Sequence, residues 1–238
     1  KLADYSEHFD LDGASAYLIV NKNITDHPCM FGFVSLPEKF ETAKELFTRI
    51  EKRAQELGYK DIIGPLNYTT WMSYRWAISN FETKLMPDCD NPPYYVDFIK
   101  QLGYHELYTY RSAAVKIDNP LYKLSKKAYE AKLKEGFTFK LFRGAEAYSV
   151  AREIYDVSLD AFAGSYLYSE ISFDYFEQVY LEWTHKLDLT MYVAYNPEGE
   201  AIGFVMGYPT PDGKYFVSKT TGVRKAYQKH KIYTALLY

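Results

Sequence analysis

The stretch Tyr215–Tyr238 constrains the fold of this chain more than any other part of its sequence. Residues Tyr215–Val223 are rich in aromatic, β-branched and threonine side chains, which predicts a strand. Residues Arg224–Lys231 contain five basic side chains and no acid, and they predict a polar turn. A helix is expected next, because apolar residues recur at helical spacing at Ile232, Ala235 and Leu236.

A strand, a basic turn and a helix in this order are suited to hold an anion. The N–H groups in the first turn of a helix have no intrahelical acceptor, and the helix dipole favours negative charge there. We therefore expect a phosphate or pyrophosphate at this turn. The alternative is a basic loop that is simply solvated.

The residues of this stretch resemble the acyl-CoA-binding motif of the GNAT superfamily of N-acetyltransferases. The resemblance lies in the order Val223, Tyr227, Gln228, Ile232, Leu236, Leu237. It implies acetyl-CoA as cosubstrate, with the backbone of Val223 meeting the pantetheine arm and Gln228 opening the loop around the pyrophosphate. The expected cofactor-binding residues are Gly222, Val223, Gln228, Lys229, His230, Lys231, Ile232 and Tyr233.

Two positions depart from the pattern of this family. The family usually has Gly where this chain has Lys231, and Gly or Ala where it has Tyr233. Glycine lets the backbone approach phosphate closely. A Cβ at these positions need not remove the N–H donors, and Lys231 adds a charge.

The order of elements predicts an α/β protein of two acetyltransferase-like halves, with mixed central sheets flanked by helices. From Phe137 the pattern is strand, helix, helix, three strands, basic turn and helix, which is the order of the acetyltransferase fold through its third helix. The expected division is a degenerate half at 1–118, a connector helix at 119–136 and a second half at 137–238.

The first half repeats part of this order. Strands are predicted at 14–21, 30–36, 61–66 and 106–117, and helices at 43–57 and 92–102, the second capped by Asn91. Lys1–Gly13 has too few apolar anchors to be assigned. Two stretches resemble bacterial two-domain members of the family: Gly64-Pro65-Leu66-Asn67 and Pro92-Pro93-Tyr94-Tyr95.

Composition excludes several classes of function. The net charge of −3 over 238 residues argues against general binding to nucleic acid or to membrane surfaces. Two cysteines, no signal peptide and no membrane-length apolar run predict free thiols in the cytoplasm. The chain begins at Lys1 without methionine and stops within a predicted helix, so we expect a fragment. Its oligomeric state is open.

Acyl transfer to an amine needs a held thioester, a neutral amine and a proton for the leaving thiolate. Backbone N–H groups near Gly222 and Val223 are candidates to polarise the thioester carbonyl. Glu170, Asp174 or a tyrosine acting through water are candidate bases, and no catalytic residue is assigned. The aromatic residues Tyr68, Trp71, Tyr74 and Trp76 fit either a substrate pocket or a packed interface between halves.

Other catalytic or metal signatures are missing from the sequence. It contains no dinucleotide fingerprint, phosphate loop or nucleophile elbow. Neither His27 with Cys29 nor the cluster Asp88-Cys89-Asp90 has the spacing of a zinc site, so no metal is expected.

The preferred function is transfer of an acyl group, acetyl by expectation, from CoA to a primary amine of a small molecule or peptide. The first half is expected to bind no CoA, because Pro37 lacks an N–H and Glu38 repels phosphate. One alternative is a non-catalytic module of the same fold. Another is an aminoacyl- or acyl-carrier-dependent transferase like the peptidoglycan-bridge enzymes; these bind tRNA, which the acidic net charge disfavours.

Overall fold

The chain forms two compact units in a computed structural model. The structure describes residues 1–82, 89–116 and 119–238, without the side chains of residues 180–186. The first unit comprises Lys1–Arg111 together with Ser165–Glu170, and the second comprises Ser112–Gly164 together with Ile171–Tyr238. Three residues named in the sequence analysis lie outside the described residues. They are Asp118 at the predicted domain boundary, Ile117 at the predicted strand end, and Asp88 of the cluster Asp88-Cys89-Asp90.

The first unit is an antiparallel sheet covered by helices. Its strands lie in the order β1-β2-β3, and α1 packs against β1 and β2. The core contains Phe31 and Phe47, whose rings meet edge to face. The strands predicted at 14–21 and 30–36 and the helix predicted at 43–57 are confirmed. The elements are β1 (Tyr5–Leu11), β2 (Ala14–Val20), β3 (Cys29–Ser35), α1 (Phe40–Glu56) and α2 (Pro93–Gln101).

Strand β1 lies in the segment that the sequence left unassigned. Tyr5 and Phe9 pack on the core, while Ser6 and His8 are exposed to solvent. Glu7 accepts a hydrogen bond from Nε of Arg53 at 2.9 Å, so a polar residue on this strand pairs with α1. The apolar signal of β1 is weak because only one of its faces is buried.

Two strands predicted for the first half of the sequence are wrong. In the segment 61–66, Ile63 makes one parallel bridge to Met30 and Leu66 one antiparallel bridge to Tyr74. Pro65 has no N–H with which to extend a ladder there. The segment 106–116 is irregular and exposed. Strand-like residues form a strand only beside a partner, and none of the named strands pairs with this segment.

Helix α2 begins differently from the prediction, although the helix itself is confirmed. It starts at Pro93, and no side chain caps it. The side chain of Asn91 instead accepts a hydrogen bond from the N–H of Ala77 at 2.7 Å and donates to its carbonyl at 3.2 Å. A buried backbone polar group needs a partner, and Asn91 supplies one to this loop.

The second unit is a four-stranded antiparallel sheet in the order β4-β5-β6-β7, with helices packed against it. The order of elements predicted from Phe137 onward is confirmed, and so is the α/β fold class. The named strands of both units pair antiparallel throughout. The elements are α3 (Leu121–Lys134), β4 (Thr138–Arg143), α4 (Ala145–Tyr148), α5 (Ala151–Phe162), α6 (Phe173–Lys186), β5 (Thr190–Tyr195), β6 (Ala201–Pro209), β7 (Phe216–Val223) and α7 (Ile232–Leu236).

Helices cover the sheet of the second unit on both faces. On one face α5 packs on β6 and β7, where a Cβ at Gly222 would lie 3.5 Å from Ala161 of α5 and 2.8 Å from the ring of Phe204 of β6. On the other face, Ile232 and Leu236 of α7 are buried with Ala194 and Ile202 of the sheet. Strands β6 and β7 therefore carry helices on both sides and fix where the basic turn begins.

Ser169 ties a segment distant in sequence into the first unit. Nδ2 of Asn21 donates to Oγ of Ser169 at 3.1 Å and to the carbonyl of Tyr68 at 3.2 Å. The carbonyl of Ser169 accepts from Oγ1 of Thr69 at 3.4 Å and from Nε1 of Trp71 at 3.0 Å. Asn21 is only 1% exposed, so these bonds replace water that it has lost.

We predict that Asn21→Ala lowers the free energy of unfolding by about 1–3 kcal/mol, because Ser169 and the Tyr68 carbonyl lose a buried donor. Urea denaturation followed by tryptophan fluorescence measures this, since Trp71 lies at the contact. The matched control is Asn23→Ala, whose side chain is exposed. Equal midpoints for the two variants would contradict the prediction.

Candidate functional site

Strand β7 ends at the open edge of its sheet and presents one of the two N–H groups predicted to face the thioester. Gly222 pairs with Phe204, and the N–H of Arg224 donates to the carbonyl of Ile202 at 2.9 Å. Hydrogen-bonded pairs alternate in an antiparallel ladder, so the N–H of Gly222 points into β6. The N–H of Val223 points to the open edge and is available to a ligand.

The turn after β7 carries a run of unpaired backbone donors. It contains a 3-10 turn at Lys225–Tyr227, followed by Lys229 and Lys231 in the left-handed region with φ of 71° and 60°. From Gln228 to Thr234, in the part of the chain that the structure describes, five N–H groups find no protein acceptor: those of Lys229, Lys231, Ile232, Tyr233 and Thr234.

Side chains hold the start of the turn to the strands and to α5. Oδ2 of Asp160 accepts the N–H of Lys225 at 2.7 Å, and Nε of Arg224 donates to the carbonyl of Ala201 at 2.9 Å. Nε2 of Gln228 donates to the carbonyl of Val223 at 3.2 Å. The carboxamide of Gln228 therefore folds back onto the end of β7 and fixes the bend of the chain.

The predicted binding residues fall into two groups by exposure. Ile232 is 1% exposed and belongs to the core, so it anchors the turn, whereas Tyr233 is 51% exposed. The basic side chains of the turn apart from Arg224 are exposed to solvent, at Lys225, Lys229, His230 and Lys231. Exposed charges contribute little each, so the backbone donors are the stronger part of this site.

Lys231 has a left-handed backbone at the position where the resemblance to the GNAT superfamily implies a glycine. A residue with a Cβ costs about 1–2 kcal/mol in this region, and glycine does not. The backbone at Lys231 thus has the conformation in which glycine is favoured, although its side chain is a lysine.

The candidate bases remain without assigned roles. Glu170 belongs to the first unit and Asp174 to the second, and the structure leaves both exposed.

Among the described residues, no three His, Cys, Asp or Glu side chains come together to hold a metal. None of the helices, over the residues described, has both the length and the apolar character needed to cross a membrane.

The aromatic residues of 68–76 pack against protein. Tyr68 lies 5.2 Å from Phe33, Trp71 lies 6.0 Å from Tyr168, and Tyr74 lies 5.6 Å from Tyr110, each measured between ring centroids. The ring of Trp76 sits in the core beside Phe31. An open groove of about 320 Å³ lies elsewhere in the first unit, along α1 and the end of α2.

The strand–helix junction of the first unit is built differently from the turn after β7. The N–H of Leu36 donates to Oη of Tyr95 at 2.7 Å, and Oη of Tyr94 donates to the carbonyl of Leu36 at 2.9 Å. The N–H of Lys39 donates to the carbonyl of Pro37 at 2.7 Å. Tyr94 and Tyr95 of α2 thus already form hydrogen bonds with the backbone groups that a ligand at this junction would need.

Lys219 occupies a bulge of β7, four residues before Val223. Met206 pairs with Thr220 and Gly207 with Ser218, so Lys219 is the extra residue that forms the bulge. Burial lowers its pKa from the ordinary 10.5 to about 8. A lysine that loses its proton near pH 8 was not apparent in the sequence, because the bulge that buries it depends on the strand register.

We predict that Lys219 contributes a rise in the free energy of unfolding between about pH 8 and pH 9. The unfolded lysine keeps its proton there while the native one loses it, so the unfolded state binds more protons and the gain is about 1 kcal/mol. Denaturation at both pH values measures it. The burial-raised pKa of Cys29, about 11 against an ordinary 9.0, offsets part of this rise, because the unfolded thiol already loses its proton over this range while the native one keeps it. The variant Lys219→Met should lose the rise; an identical rise in that variant would refute the assignment.

Comparisons with known proteins give structural similarity alone. No protein-family model matches the chain, and no curated protein sequence matches it. The chain is similar to the solved structure of L-PGS from Bacillus licheniformis, with 15% identity and a TM-score of 0.41 over 99% of this chain and 63% of that one.

Two further solved structures are similar at comparable levels. One is the C-terminal domain (DUF2156) of an Agrobacterium fabrum protein described as a lysylphosphatidylglycerol synthetase, with 11% identity and a TM-score of 0.45 over 99% of this chain and 65% of that one. The other is a tandem GNAT protein from the clavulanic acid biosynthesis pathway, with 11% identity and a TM-score of 0.44 over 94% and 63%. The chain spans less than two thirds of each of these three proteins.

Proposed function

We propose that this protein transfers an acyl group, acetyl in the first instance, from acyl-CoA to a primary amine of a small molecule or peptide. The observation that carries the proposal is the run of five unpaired N–H groups after β7, flanked by exposed cations. A pyrophosphate supplies the negative oxygens that such donors need. Under this proposal Gly222, Val223 and the residues Gln228–Tyr233 form the acyl-CoA site.

Under this proposal the edge of β7 determines where the acyl-bearing arm of CoA lies. With the pyrophosphate at the turn, the N–H of Val223 is a donor to the acyl-bearing arm, which would then run along the edge of β7. The neutral amine attacks the thioester carbonyl, the C–S bond breaks and the thiolate takes up a proton, so the products are an amide and free CoA. A cytoplasmic location, with Cys29 and Cys89 as thiols that form no disulfide, accompanies the proposal.

The second candidate is a module of the same fold that binds the ligand without turnover. The exposure of both Glu170 and Asp174 favours it, since neither carboxylate is held in a site that would tune it as a base. Both candidates share the CoA site, so release of free thiol from acetyl-CoA in the presence of amines distinguishes them.

We predict that acetyl-CoA binds the wild-type chain in calorimetry and that Lys231→Glu weakens binding at least about tenfold, because the new carboxylate repels phosphate beside the free N–H groups. Lys231→Gly should bind as well as the wild type or better, since glycine suits the left-handed backbone. Lys123→Glu, an exposed change in α3, is the charge-matched control. A wild-type chain that binds no acetyl-CoA at millimolar concentration refutes the proposal.

The same calorimetry should give one CoA site per chain. The junction after β3 has its polar groups taken by Tyr94 and Tyr95, and Pro37 offers no donor. A stoichiometry of two, or binding that is retained in a variant with a disabled turn after β7, would contradict this prediction.

A further inference from the structure

Tyr227 lies inside the basic turn and is fixed by a residue from another hairpin. Its hydroxyl accepts a hydrogen bond from Nδ2 of Asn196 at 3.1 Å, and its ring packs against Phe137 at 6.3 Å between centroids. Asn196 lies in the turn between β5 and β6 and is 3% exposed. A partly buried hydrogen bond thus connects this hairpin to the turn after β7.

Hydrogen bonds to Glu200 hold the side chain of Asn196 in one orientation. Its Oδ1 accepts the N–H of Glu200 at 2.7 Å, and its Nδ2 also donates to Oε2 of Glu200 at 2.9 Å. The backbone N–H of Asn196 donates to the carbonyl of Glu200 at 3.0 Å. Because the hairpin fixes the carboxamide, the donor that reaches Tyr227 has a set position.

The residues whose backbone N–H groups are unpaired begin two positions after Tyr227, at Lys229. Tyr227 closes the 3-10 turn, the N–H of His230 donates to its carbonyl at 3.2 Å, and Lys229 and Lys231 are left-handed on either side of His230. Left-handed residues other than glycine persist only where surrounding contacts enforce them. Besides the carboxamide of Gln228, the contacts that flank these residues include the Tyr227 side chain on one side and buried Ile232 on the other.

We infer that Asn196 and Tyr227 are positioning residues for the proposed pyrophosphate-binding turn, because their hydrogen bond holds the unpaired N–H groups of residues 229–234 in place. The inference rests on the proposed function and adds to it two residues that do not touch the ligand. Holding the donors before binding removes part of the ordering cost that the ligand would otherwise meet.

The test measures CoA binding by calorimetry in Tyr227→Phe, Asn196→Ala and the double variant. Tyr227→Phe keeps the ring and loses the bond, so the dissociation constant should rise about 2- to 12-fold. The double variant should bind no more weakly than Asn196→Ala, since the two residues act through one bond. Hydrogen exchange at the hydrogen-bonded amides of the turn, those of Gln228, His230 and Ala235, should accelerate in both single variants.

The control is Tyr155→Phe, which removes a buried tyrosine bond of the same unit, from Oη to the carbonyl of Ile171 at 2.7 Å, away from the turn. It should lower stability and leave CoA affinity unchanged. Wild-type affinity in Tyr227→Phe, or equal losses in Tyr227→Phe and Tyr155→Phe, would overturn the inference alone. A wild-type chain without CoA binding would overturn the proposed function and the inference with it.

Discussion

The pairing of β6 with β7 is the interaction on which the second unit depends. These two strands carry α5 on one face and α7 on the other, and a Cβ at Gly222 would meet Phe204 at 2.8 Å. The ladder continues to Arg224, whose N–H reaches Ile202. Because the ladder ends there, the direction in which the chain leaves the sheet and the edge on which Val223 lies are both set by strand register.

Much of the fold could be predicted from the sequence because its signals are local. Helix α1 shows an apolar face at helical spacing, and the hairpin around Asn196 shows turn residues between apolar runs. Segments 61–66 and 106–116 show the same kind of apolar signal, but the chain provides them no ladder. Strand β1 is the converse case, since its few apolar residues suffice once β2 lies beside it.

The candidate site was predicted less completely because its geometry depends on distant residues. The sequence located the basic turn, but it did not indicate that Gln228 turns back onto Val223, or that Asp160 holds Lys225 from α5. The left-handed backbone of Lys229 and Lys231 was also not apparent, since lysine gives no signal for it. A motif thus identifies the segment, while packing decides which of its atoms remain free.

The contact of Ser169 with Asn21 has a consequence for the order in which the chain is made. The first unit is not continuous in sequence, so it stays incomplete from the synthesis of Arg111 until Glu170 has emerged, about 60 residues later. At about 5–20 residues per second this delay is about 3–12 s. During that interval the side chains of Asn21, Thr69 and Trp71 have not yet met Ser169, so their polar atoms must be satisfied by water.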